Sequence, residues 1–213
     1  MTRDAFARQV DRVARRAVPL DHRGRGVAVT FDDAYRSFFE VALPVLERKG
    51  IPVTLFVPSG RLGGENTWDA GSSCDLALMT PDQVAEAAGR GVEVASHGHM
   101  HVDLTAVSAD DARADLVASV RTLAEITGRR PRFLAYPWGR HDAQVRALAA
   151  ETGFEAAYAV NAPSGDGFGR ERVQVEARDG GFRFALKGSG AYERLRRYRR
   201  TSTSTKSERS TSS

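Results

Sequence analysis

From residue 26 onward, short apolar runs alternate with amphipathic helical patterns, and this alternation confines the chain to repeated βα units, hence to a parallel sheet or barrel. The strands expected are 26–32, 52–57, 91–96, 132–136, 154–160 and 172–176. The helices between them carry readable ends. Thr80-Pro81-Asp82-Gln83 combines an N-cap, a proline at the first helical position and a capping-box glutamine. Ser108 and Asp142 read as further N-caps, and Gly50, Gly128 and Gly153 as helix-ending glycines. Leu116, Val117, Val120, Leu123, Ala124 and Ile126 recur at helical spacing, a stripe that belongs against the sheet. A further helix is expected over 4–17, and residues 60–79 form a long Gly/Ser-rich insertion whose Trp68 serves either as a substrate wall or as a loop anchor.

Two of the expected strands end in groups with chemistry. Val27-Ala28-Val29-Thr30-Phe31 is closed by Asp32 and Asp33, and Val92-Glu93-Val94-Ala95 runs into Ser96-His97-Gly98-His99-Met100-His101. Carboxylate and neutral imidazole together suit a divalent transition metal, and α/β folds keep their ligands just past the strand ends. His97 and His101 are four apart, the spacing that places two imidazoles on one face of a helical turn. With Asp33 they would form a two-histidine, one-carboxylate set that leaves open positions, as a catalytic centre requires. Adjacent carboxylates after a strand can instead cap a helix, which would account for one of them. A bound cation permits a different division of labour, one aspartate on the metal and the other free to accept a proton. The implied class is a metal-dependent hydrolase.

Composition narrows the alternatives. The chain of 213 residues is 41% hydrophobic, enough for one domain with a sizeable core, expected over 1–192. Its formal charge of +4 suggests a nucleic-acid partner only until the charge is located. Residues 193–213 hold seven Lys/Arg against two Glu, so residues 1–192 carry a net charge of −1 and offer no electrostatic case for nucleic acid. The tail turns from Arg-rich to Ser/Thr-rich and is expected to be disordered, its arginine run either solvated or in weak contact with anionic lipid. The single cysteine, Cys74, excludes an intramolecular disulfide. No apolar run of signal-peptide or membrane-spanning length is present, and the expectation is a cytoplasmic protein.

Three ordered motifs complete the picture: Thr30-Phe31-Asp32-Asp33, then Ser96-His97 with His101, then Tyr136-Pro137-Trp138-Gly139. Together they resemble the polysaccharide deacetylases with the NodB homology domain, carbohydrate esterase family 4, over about residues 26–176. The resemblance implies a distorted (β/α) barrel, usually seven-stranded, and hydrolysis of N- or O-acetyl groups from sugars with a divalent metal, commonly zinc. It assigns Asp32 as general base and Asp33, His97 and His101 as metal ligands. It further suggests the Trp138 N–H for the oxyanion, with the Trp138 ring as a pocket wall and Tyr136 and Pro137 holding the turn rigid. The chain departs from the family twice. The arginine that orients the base in many relatives is replaced by Ala135, with Arg132 and Arg140 nearby in sequence, and no histidine follows His141. The leaving amine would then take its proton from His141, the favoured candidate, or from His99 or Glu176. The expected substrate is an N-acetylated sugar or glycan. The competing readings are a catalytically silent sugar-binding relative and a metal-dependent hydrolase of another amide or ester bond.

Overall fold

The structure is a computed structural model that describes residues 2–68, 77–160, 167–176, 179–189 and 192; Cys74 and the tail expected to be disordered lie outside the described residues. The chain divides into two compact units, residues 14–172 and residues 1–13 with those from 173 onward. In the second unit, α1 (Arg3–Val13) packs near a C-terminal helix over Gly181–Gly188. Asp179 lies just ahead of that helix and is buried. It accepts hydrogen bonds from Lys187 Nζ at 2.5 Å and the Glu176 N–H at 2.8 Å, while its carbonyl accepts from Gln9 Nε2 of α1.

The larger unit is built on six parallel strands: β1 (Val29–Phe31), β2 (Val53–Val57), β3 (Glu93–Ser96), β4 (Phe133–Ala135), β5 (Ala156–Val160) and β6 (Arg170–Arg172). They neighbour one another in chain order and curl into a half-barrel. The resemblance implies seven strands; six occur among the described residues, and Ala17 adds only an isolated bridge to Val27. Each expected strand has a counterpart, but the last lies earlier than its reading of 172–176. Arg172 ends β6 rather than beginning it, because the pairing with β5 runs from Tyr158↔Arg170 to Val160↔Arg172.

Burial explains the strand sequences. All five residues of β2 and all three of β4 are buried, as expected for strands covered on both faces, and their runs are accordingly continuous rather than alternating. One face carries α4 (Ala109–Thr127) and α5 (Ala143–Glu151), whose Leu116, Val120 and Leu148 pack with Leu134, Tyr136 and Ala157. The concave face gathers Phe56, Ala95, Phe133, Ala135, Ala156 and Tyr158. The remaining helices, α2 (Leu43–Arg48) and α3 (Pro81–Gly89), complete the crossovers.

The expected helix ends are present. Thr80 and Gln83 make both bonds of the capping box, Ser108 accepts from the Asp111 N–H and Asp142 from the Val145 N–H, each cap contributing about 1 kcal/mol. Among the described residues no helix is long and apolar enough to cross a membrane. Parallel pairing places every strand's C-terminal end on one rim, so the segments after Phe31, Val57, Ser96, Ala135 and Arg172 share it.

Candidate active site

On that rim Asp33, His97 and His101 come together, each offering a ligand atom within 4.8 Å of the others. Asp33 Oδ1 lies 3.5 Å from His97 Nε2 and 3.3 Å from His101 Nε2. It is buried and has no hydrogen-bond partner. His97 Nδ1–H donates to the Ala135 carbonyl at 2.7 Å, which fixes the tautomer and leaves the Nε2 lone pair facing Asp33. Burial, the largest influence, pushes His97 below the usual histidine value of 6.5 against the pull of Asp32 and Asp33, so the ring is neutral at pH 7. Asp33 Oδ1 and the two imidazole Nε2 atoms thus converge on one point, a donor set that a divalent cation fits.

The two histidines converge by a route other than the expected helical turn. Residues 97–101 are an irregular loop in which Gly98 has φ 75° and His101 φ 53°. Asp115 of α4 holds it by accepting the N–H groups of His99 at 2.7 Å and Met100 at 2.9 Å. Only glycine fits at 98, where a Cβ would stand 2.9 Å from Asp115 Oδ2. Asp33, Ala34, His101 and Trp138 are the non-glycine residues with positive φ among those described, and all four belong to the rim. Left-handed backbone costs about 1 kcal/mol per residue, so its concentration here marks a site whose geometry the fold overrides propensity to keep.

Asp32 stands outside the ligand set and is 32% exposed, open to solvent. Arg172 binds it bidentately, Nη1 to Oδ1 at 2.7 Å and Nη2 to Oδ2 at 2.8 Å, and Nη1 also donates to Thr30 Oγ1 at 3.1 Å. The guanidinium lies over the Phe56 ring, 4.8 Å from its centroid. Burial alone would raise the Asp32 carboxyl; Arg172, then His97 and His101, reverse this and hold it below the ordinary aspartate value. Arg172 thus gives Asp32 the arginine contact that Ala135 does not offer. The two nearby arginines do not: Arg132 pairs with Asp21 and Glu155 at the far end of β4, and Arg140 pairs with Asp103. Sequence reasoning missed Arg172 because its contact with Asp32 spans 140 residues. The available signal was an arginine at the rim end of a strand, obscured by reading that strand two residues late.

The third motif forms the tight turn expected of it. Tyr136 is fully buried, its hydroxyl donating to the Phe168 carbonyl at 2.8 Å, and Gly139, with φ 69°, leaves no room for a Cβ beside Val160. Trp138 is 46% exposed and sets its ring edge-on to His101, centroids 4.5 Å apart. Trp68 stacks on the same histidine at 4.1 Å, the ring planes 20° apart.

The candidate acids are dispersed. His99 turns to Ser59, sharing a hydrogen bond of 2.9 Å, and packs on Gly60. Glu176 belongs to the other compact unit, where its N–H bonds Asp179. His141 lies against the Tyr136 ring, 4.9 Å between centroids, with Arg146 Nη1 3.2 Å from its Nδ1.

Comparison with known proteins bears on family and fold. The polysaccharide deacetylase family profile matches residues 20–157. YxkH of Bacillus subtilis (strain 168), which carries the name of a polysaccharide deacetylase, is 24% identical over 129 residues. That alignment takes in 61% of this chain and 42% of YxkH, so the chain spans about two fifths of that relative's length. Among solved structures, IcaB from Ammonifex degensii superposes with a TM-score of 0.75 at 24% identity, covering 88% of this chain and 89% of IcaB. The Streptococcus pyogenes deacetylase PplD, solved in complex with acetate, superposes with a TM-score of 0.74 at 20% identity, covering 88% and 87%. With the family profile extending over the first motif, the histidine loop and the third motif, the chain belongs to the polysaccharide deacetylase family.

Proposed function

We propose that this protein is a metal-dependent deacetylase that hydrolyses an acetyl group, N-linked in the first instance, from a sugar or glycoconjugate. The observation that carries the reading is the pairing of a convergent Asp33, His97 and His101 set with a second carboxylate, Asp32, held beside it by Arg172 rather than by the ligand cluster. Asp33, His97 and His101 would hold the ion, zinc being the natural choice for two imidazoles and one carboxylate. Such an ion, when bound, supplies a Lewis acid that polarises the acetyl carbonyl and makes water acidic enough to attack at neutral pH.

The protein's own groups perform the remaining work. Asp32, ionised and oriented by the Arg172 fork, accepts the proton of the attacking water. The Trp138 N–H faces the tetrahedral oxyanion; the backbone bonds of its turn run from Gly139 to Tyr136 and from Arg140 to Pro137 and leave it unused. His141, as an imidazolium, gives a ring proton to the departing amine and returns to the neutral ring, so that water and amide become acetate and free amine. The exposed Trp138 ring offers a sugar an apolar wall.

The rival reading, a silent sugar-binding relative, drew on the missing arginine and the missing late histidine. Arg172 removes the first of these grounds. Acetate release measured against a panel of N-acetyl sugars, with and without chelator, tests the proposal. Turnover that is lost on chelation, returns with zinc and is absent in Asp32→Asn supports it; chelator-insensitive turnover, or none with any acylated sugar, overturns it.

A further inference from the structure

The two histidines of the cluster are held by different means. His97 has the hydrogen bond that normally fixes a ligand histidine, from Nδ1 to the Ala135 carbonyl. His101 Nδ1 is buried and has no partner, so no hydrogen bond sets the rotation of its ring. Three aromatic rings surround it instead: Trp68 face to face at 4.1 Å, Trp138 edge-on at 4.5 Å and His97 edge-on at 4.9 Å. Of these, only Trp68 lies parallel to the imidazole plane, at 20°.

Trp68 is itself anchored. Asn66, buried at 1% exposure, accepts the Trp68 N–H at 2.9 Å in an Asx turn and donates to the Tyr35 hydroxyl, two residues beyond Asp33. Its loop is pinned further by backbone bonds from Gly63 N–H to Met79 and from Leu78 N–H to Gly64. Arg61 lies over the indole, 5.4 Å from the ring centroid, and is bonded to Thr67. Between substrate wall and loop anchor, the stacking of the indole on His101 favours an anchoring role.

Resting on the metal reading above, we infer that Trp68 is a positioning residue for His101, its stacked indole replacing the hydrogen bond that other ligand histidines receive at Nδ1. Arg61 and Asn66 hold the indole in place, so an Arg61–Trp68–His101 stack keeps Nε2 turned toward Asp33. The requirement is a flat aromatic face at position 68, which phenylalanine retains and alanine removes.

The test has two arms on the full chain. In the metal-free protein, NMR of the imidazole groups should place the His101 ring protons upfield, under the shielding face of the indole. The shift should persist in part in Trp68→Phe and vanish, with broadening, in Trp68→Ala. In the second arm, zinc is titrated against a competing chelator. Trp68→Ala should bind 10- to 100-fold more weakly than the parent, the usual range for removing a group that orients a ligand, and Trp68→Phe within a few-fold of it. Unshifted His101 signals in the parent, or equal zinc affinity in parent and Trp68→Ala, overturn the inference. A parent with the shielded His101 signals but no zinc binding overturns the metal reading and leaves the stack intact. Folding of each variant is controlled by its thermal midpoint, and Trp68→Phe supplies the comparison should Trp68→Ala fail to fold.

Discussion

Arg172 Nη1 and Nη2 each meet one oxygen of Asp32, at 2.7 and 2.8 Å, and so join the last strand of the half-barrel to the first. The pair does two jobs at once. It ties together the two edges of the sheet, and it holds the partly buried carboxylate in a single orientation beside the ligand cluster.

If orientation is the essential part, Arg172→Ala should lower kcat by about 10²-fold, the cost of a misplaced reacting group, with little change in KM. Arg172→Lys keeps the charge but not the two-pronged grip, and should fall between. Zinc affinity should be unaltered in both variants, since Arg172 touches no ligand; a parallel loss of metal would reassign Arg172 to general structural support.

The histidine loop depends on Asp115, which accepts two N–H groups from it. Asp115→Ala leaves both without that partner and should cost about 2 kcal/mol in denaturant unfolding. It should also speed amide exchange at His99 and Met100 while leaving the strands protected. Uniform loss of protection across the sheet would show that Asp115 supports the fold as a whole rather than this loop.

For His141, the expected outcome of His141→Ala is a fall in kcat of about 10²-fold with KM nearly constant. The alkaline limb of the pH–rate profile should be lost with it, because that limb reports the protonated acid. An unchanged kcat would transfer the role to another donor.

A pH effect on stability should arise in the smaller unit. Burial, the largest influence on the Asp179 carboxyl, raises its pKa, but the bonds from Lys187 and the Glu176 N–H more than reverse this and hold it below the ordinary value of 3.8. A folded-state pKa below the unfolded one means that the pair stabilises the fold in full above 3.8 and that this contribution disappears as pH falls through the lower folded value. Denaturation midpoints from pH 7 downward should therefore decline less steeply in Asp179→Asn than in the parent. Lys187→Ala strands a buried carboxylate and should cost roughly 3 kcal/mol at pH 7.

Local patterns were sufficient for much of this protein. Five apolar runs foretold β1 to β5 while the sixth strand was read two residues late, the Thr80 capping box and the Ser108 and Asp142 caps formed as written, and Asp33, His97 and His101 were identifiable as a cluster by their places after strands. Such features follow from neighbours in sequence, because strand burial, helix capping and the parallel rim all arise from residues within a few positions of one another or from a repeat. What depended on tertiary structure was everything joining distant segments. The histidine spacing invited a helical turn, but Asp115 on another element bent residues 97–101 into a left-handed loop. The arginine absent at position 135 came from position 172, brought to Asp32 by the curl of the sheet, and the indole steadying His101 came from an insertion pinned beside Tyr35. No periodicity encodes such meetings; they are settled only when strand order and curvature decide which side chains share the concave end.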